Sequence, residues 1–170
     1  MYKIPNGFSF EEAALSEPFA AATHAVCDIA RPQAGDVALL SGPGPVGLMG
    51  LKPLVAMGIH TIAAGLGADA PRLEQAGRIG AARVVNAEGD DLFDVIRQAT
   101  SGKGADIAIE AAGSAGSLAD CLEAVRPMGR IVQVGTFGRP NPGHVATMQT
   151  KHVIKVRCII GECSSNDPSK

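Results

Sequence analysis

The chain has 170 residues, 46% of them hydrophobic and 19% charged, which supplies material for one ordinary core and argues against disorder. Its formal net charge is −2 with Lys and Arg scattered, so there is no basic stripe of the kind that binds nucleic acid. No apolar run approaches the roughly 18 residues of a membrane span, and the N-terminus has no basic region leading into an apolar stretch, so a soluble, cytoplasmic setting without membrane contact is expected.

Cys27, Cys121, Cys158 and Cys163 show no C-x-x-C spacing, and free thiols in a reducing compartment are expected. Pro5, Asn6 and Gly7 mark a turn. Ser9 with Glu12 three positions on has the spacing of a capping box, which predicts a short helix over Ala13, Ala14 and Leu15. Ser16-Glu17-Pro18 follows; proline biases Glu17 away from helical geometry and favours a new helix from Phe19 to about Ile29. Glu17 is thereby fixed at a helix mouth, where a carboxylate interacts favourably with the dipole. His24 in that helix reads as a packed or partly exposed side chain.

Arg31 to Asp36 is a turn that delivers the chain into Val37-Ala38-Leu39-Leu40-Ser41. This first strand runs straight into Gly42-Pro43-Gly44-Pro45-Val46-Gly47, with a helix from Val46 to Met57. Strand, glycine turn and helix together predict dinucleotide binding over a plain tight turn. Gly42 turns the chain, Gly44 leaves room for a pyrophosphate at the backbone, Gly47 lets helix and strand lie close, and the helix mouth offers free N–H groups. Pro53 falls inside this helix and predicts a kink.

A second strand covers His60 to Ala64. NAD-binding units place an acid at its end; here the chain reads Gly65-Leu66-Gly67-Ala68-Asp69, with no acid before Asp69. Ala70 to Gly80 has helical spacing, and Arg72 in its first turn either lies over an adenine or points to solvent. Strands follow at Arg83 to Val85, Asp106 to Ala111 and Arg130 to Val134, with helices at Asp90 to Thr100 and Ser117 to Val125. Pro127-Met128-Gly129 is a turn. Val153 to Ile160 reads as a sixth strand. The fold class is therefore α/β, a doubly wound parallel sheet of about six strands with helices on both faces and an N-terminal helical segment. Residues 1–35 form the lead-in, 36–161 the Rossmann unit and 162–170 a polar tail that reads as truncated.

Several pieces occur in order: Phe10-Glu11-Glu12-Ala13-Ala14, Ser16-Glu17-Pro18, Gly35-Asp36, the glycine turn, Arg72-Leu73 with Gly80-Ala81, Glu110-Ala111-Ala112-Gly113, and Gly129-Arg130-Ile131-Val132-Gln133-Val134-Gly135. Together they resemble the cofactor domain of the medium-chain zinc-type alcohol dehydrogenases, nearest the polyol branch of sorbitol and threonine dehydrogenases. The resemblance implies an oxidoreductase moving hydride between a secondary alcohol or polyol and NAD or NADP. Asp69, in reach of the ribose, tips the expectation towards NAD. It places the cofactor on Gly42, Gly44, Pro45, Val46, Gly47, Gly65, Asp69, Arg72, Ala111, Gly113, Val134 and Gly135, and sets Glu17 at a catalytic zinc or its water. The cysteine and histidine that hold zinc belong, in that family, to a separate domain with no counterpart here; one carboxylate is not a zinc site, and this chain alone is not expected to catalyse. Pairing of copies through the edge near Val153 to Ile160 is also implied. Two other readings stay open: a stand-alone nucleotide-binding or scaffold module, and a zinc-free quinone or enone reductase with a structural Glu17.

Overall fold

A computed structural model describes residues 3–136. Five strands, β1 (Val37–Ser41), β2 (His60–Gly65), β3 (Arg83–Asn86), β4 (Ala105–Glu110) and β5 (Val125–Gln133), form one sheet in the order β3-β2-β1-β4-β5. Every neighbouring pair is parallel. The chain winds outwards from β1 through β2 to β3, then returns to β4 on the other side of β1. The order reverses between β1 and β4, and open parallel sheets bind ligands beyond the strand ends at that reversal. The expected sixth strand at Val153 to Ile160 lies outside the described residues.

The strands are apolar on both faces because both faces are covered. Leu39, Ile62, Ala108 and Ile131 pack under α5 (Leu92–Thr100) and α6 (Ala115–Ala124), meeting Ile96, Leu118 and Cys121. Ala38, Leu40, Ala63, Ile107, Ile109 and Val132 face the other way, against Leu51 and Leu54 of α3 (Pro45–Ala56), Ala76 of α4 (Ala70–Ile79) and Val26 of the N-terminal segment. This alternation is the period-2 signature of a strand buried on both sides.

The N-terminal segment departs from expectation in one respect. After α1 (Phe10–Ala14), capped by Ser9 and Glu12 in a reciprocal box, α2 begins at Ser16 and not at Phe19. Glu17 and Pro18 thus sit inside its first turn, where proline forfeits only an N–H that has no helical partner. From His24 to Ala30 the coil widens to a π-helix ending at Arg31 with φ 49°. Gly50 of α3 faces this layer, where a Cβ would make ordinary contact, 3.7 Å from Val26 and 4.0 Å from Ala22. α3 itself runs unbroken across Pro53; burial of Leu51 and Leu54 on either side holds it to the sheet despite the missing donor. The turn expected at Pro127 to Gly129 is an excursion within β5. Ala105 pairs with Val125 and Ile107 with Arg130, and Met128 between them has φ 65°.

Side chains at the other end of the sheet fasten the strand starts. Asp106 accepts from the Val37 amide at 2.8 Å and from Arg126 Nε at 2.5 Å. Burial raises the Asp106 pKa, but the amide and the guanidinium outweigh it and hold the carboxyl below its ordinary range. Asp36 joins the entry turn to β5 by accepting from the Gln33 amide and from Arg130 Nη2, each at 2.9 Å.

Candidate functional site

Beyond the ends of β1, β2 and β4 lies a cavity of about 460 Å³, lined by residues of the glycine turn, the β2–α4 turn and the start of α6. The glycine turn shapes its floor. Gly42 has φ 101°, and a Cβ there would fall 2.5 Å from the Ala112 amide nitrogen. A Cβ at Gly47 would fall 2.1 Å from the Gly42 carbonyl oxygen. Both positions are closed to any side chain by backbone. Gly44 is the opposite case: a Cβ there would meet nothing within 4 Å, so its missing side chain leaves open space at the helix mouth. Gly44 is also the N-cap of α3, with no side-chain hydrogen bond on the first turn and Pro45 at its first position. The first-turn amides have no helical partner, and the positive end of the dipole adds to them. A nucleotide pyrophosphate fits this cradle by charge, donor type and free space.

The β2 end explains the absent acid. A Cβ at Gly65 would lie 2.8 Å from both Cδ and Cγ of Pro43, so the proline in the glycine turn excludes a side chain there. Asp69 lines the cavity but is already engaged: its Oδ1 accepts from Arg72 Nη1 at 2.9 Å and its Oδ2 from the Leu66 amide at 3.3 Å. Arg72 therefore lies on the cavity edge, tied to Asp69.

Of the residues expected to hold cofactor, Gly42, Gly44, Gly65, Asp69, Arg72 and Ala111 line the cavity. Pro45, Val46 and Gly47 lie directly behind Gly44 in α3. Gly113, Val134 and Gly135 do not line it; they bind its wall together. A Cβ at Gly135 would fall 2.3 Å from the Gly113 amide nitrogen, and the Val134 and Gly135 amides donate to the Glu110 carbonyl at 2.8 and 2.9 Å.

The residue that organises this wall was not among the expected site residues. Glu110, fully buried at the end of β4, accepts through Oε1 from the Ala112 and Gly113 amides and from Ser117 Oγ, at 2.9, 2.7 and 2.9 Å. Ser117 Oγ in turn lies 2.8 Å from Ser41 Oγ, so one carboxylate ties together the ends of β1 and β4 and the start of α6. Its Oε2 has no partner among the described residues. The available signal was an acid ending the otherwise apolar run Ile107-Ala108-Ile109. Nearby, burial raises Asp120 on the cavity edge, and burial with the Glu110 and Asp120 carboxylates pushes the Cys121 thiol up.

A larger depression of about 600 Å³ lies at the opposite ends of β4 and β5. The helix mouth on its rim, the start of α5, is already capped by Asp91, which accepts from the Asp94 amide at 2.9 Å. Its arginines are paired, Arg97 with Asp91 and Asp94 and Arg126 with Asp106. The chemistry favours the smaller cavity. Glu17 is exposed in the first turn of α2, and His24 pairs with Asp28 through Nδ1 and Oδ2 at 2.7 Å. Among the described residues no three His, Cys, Asp or Glu side chains converge to hold a metal. These residues do not form a zinc site, which takes three protein ligands. No helix among them is long and apolar enough to cross a membrane.

Residues 45–168 match the family model described as zinc-binding dehydrogenase. The chain is 34% identical over 137 residues to a D-arabitol-phosphate dehydrogenase of Enterococcus avium, covering 81% of this chain and 39% of that protein. It is 36% identical over 135 residues to a sorbitol dehydrogenase of Bacillus subtilis, covering 79% and 38%. Among solved structures it is similar to 2R,3R-butanediol dehydrogenase from Bacillus subtilis, with a TM-score of 0.76, 32% identity, and 94% of this chain against 45% of that one. The chain thus spans less than half the length of these relatives. The glycine turn, the sheet order and the sequence match agree, and the chain belongs to the zinc-binding dehydrogenase family, of the medium-chain alcohol dehydrogenase type.

Proposed function

We propose that this chain is the cofactor-holding part of an oxidoreductase that moves a hydride between a secondary alcohol or polyol and a nicotinamide dinucleotide. The observation that carries this reading is the open space over Gly44 at an uncapped helix mouth, set at the reversal point of a parallel sheet. The relatives named for arabitol phosphate, sorbitol and butanediol support the polyol class. The first turn of α3 would hold the pyrophosphate, and the adenosine half would lie towards Gly65, Asp69 and Arg72. The nicotinamide half would lie along the wall built by Glu110, with Gly113, Val134 and Gly135 fixing its backbone. When bound, the nicotinamide supplies or accepts the hydride. The chain's own residues orient it: Glu110 holds the Ala112 and Gly113 amides in place and, through Ser117, ties them to Ser41 at the end of β1. Glu17, at the exposed start of α2, is proposed as this chain's contribution to the substrate side.

NAD is the proposed cofactor over NADP, since the adenosine end carries Asp69 already paired with the nearest arginine. The test is a nicotinamide absorbance assay on the complete enzyme with secondary alcohols, polyols and polyol phosphates, each with NAD and with NADP. Turnover with NAD and a polyol is expected. Absence of cofactor-linked turnover across all three substrate classes would contradict the reading.

A further inference from the structure

The amides that follow β2 open the short helical turn Gly67–Asp69 and then α4. On the cofactor reading they lie beside the adenosine end of the cavity, which Leu66, Asp69 and Ala87 line, and a phosphate on the ribose there would be received by free amides and a guanidinium. Both amides are occupied by carboxylates of this chain. The Leu66 amide donates to Asp69, whose charge is matched by Arg72. The Gly67 amide donates to Glu88 Oε2 at 2.7 Å. Glu88 reaches back from the loop after β3, and no cation pairs with it among the described residues. Ala87 beside it lines the cavity.

A carboxylate oxygen on an amide has the charge and acceptor character of a phosphate oxygen in the same place. The acid that a strand end would normally carry is excluded at Gly65 by the Pro43 ring, and the charge of Asp69 is matched by Arg72, which leaves Glu88 as the acid there without a paired cation among the described residues. We propose that Glu88 is the specificity-determining residue of the adenosine end: its carboxylate fills the position a 2′-phosphate would need and so selects NAD over NADP. The inference rests on the cofactor reading of the cavity.

The test titrates NADH and NADPH, by fluorescence, into the full chain and its Glu88→Gln and Glu88→Ala variants, with thermal melts of each. Wild type is expected to bind NADH at least about tenfold more tightly than NADPH, the scale of one charged hydrogen bond gained or lost. Glu88→Gln, which keeps an acceptor for Gly67 without the charge, is expected to tighten NADPH about tenfold and leave NADH within about twofold. Glu88→Ala, which frees the amide, is expected to tighten NADPH at least as much. An unchanged ratio of the two affinities in both variants overturns the proposal while leaving the cofactor reading standing, as does a wild type that binds NADPH as tightly as NADH. A wild type that binds neither overturns both.

Discussion

Gly42 and Gly44 of the turn after β1 differ in what they do, and the difference is measurable. At Gly42 a new Cβ would lie 2.5 Å from a backbone nitrogen and the backbone has φ 101°, so Gly42→Ala combines left-handed strain with an overpacked contact and is expected to lose about 3 kcal/mol of stability. At Gly44 the backbone has φ −68° and ψ 178°, and a Cβ meets nothing. Gly44→Val is thus expected to cost about 1 kcal/mol, the loss of a favourable N-cap residue. Its branched side chain would, however, stand between the α3 amides and a phosphate. Losing one charge-assisted hydrogen bond costs about 1.5–3 kcal/mol, which is roughly ten- to hundredfold in affinity. Urea unfolding followed by circular dichroism, beside NADH titration, separates the two effects. Gly44→Val should melt nearly as wild type and bind weakly. Wild-type affinity in that variant, or a stability loss equal to that of Gly42→Ala, would refute the assignment of Gly44 to ligand space.

Other consequences concern stability and access. Asp106→Asn should cost about 1–2 kcal/mol at pH 7, the worth of its charged hydrogen bonds to Val37 and Arg126. Because the folded pKa lies below the unfolded one, the contribution is present above the unfolded value and is lost as pH falls through the folded one; urea midpoints of variant and wild type should converge near the acid limit, and a pH-independent gap would contradict this. Gly65→Asp should destabilise by steric conflict with Pro43, and adding Pro43→Ala should recover most of the loss; additivity of the two changes in a double-mutant cycle would rule out the clash. Native alkylation followed by peptide mapping should label the half-buried Cys27 before the buried Cys121, whose thiol is held protonated by burial and its acidic neighbours; equal rates would count against the placement of α6.

Much of this architecture is legible in the residues alone. The run Val37 to Leu40, the glycine spacing and the alternation of apolar segments specify a parallel sheet, because strands buried on both faces must read as continuous apolar runs. The capping box at Ser9 and Glu12 is as local as a signal can be, and it forms as read. What escapes the sequence depends on contacts between distant segments. Proline after Glu17 reads as a helix start one residue on, yet the first turn tolerates it and α2 begins at Ser16. Gly65 reads as a missing acid, whereas its cause is Pro43, 22 residues earlier, a neighbour only once the sheet is built. Glu110 reads as a strand-end polar residue; its three donors are near it in the chain, but the further link from Ser117 to Ser41 of β1 exists only once the sheet is built. Gly113 and Gly135 read as cofactor contacts, and what the sequence does not show is that they also permit each other's close approach beside the cavity.

The central claim is that the mouth of α3, not another concavity, receives the dinucleotide. Amide chemical-shift mapping of the ¹⁵N-labelled chain on addition of NADH addresses it directly. Saturable shifts are expected, concentrated at Gly44, Val46, Gly47, Leu66, Gly67 and Ala112. Shifts confined to the depression between Asp91 and Pro127, or no saturable shift at the α3 mouth, would contradict it.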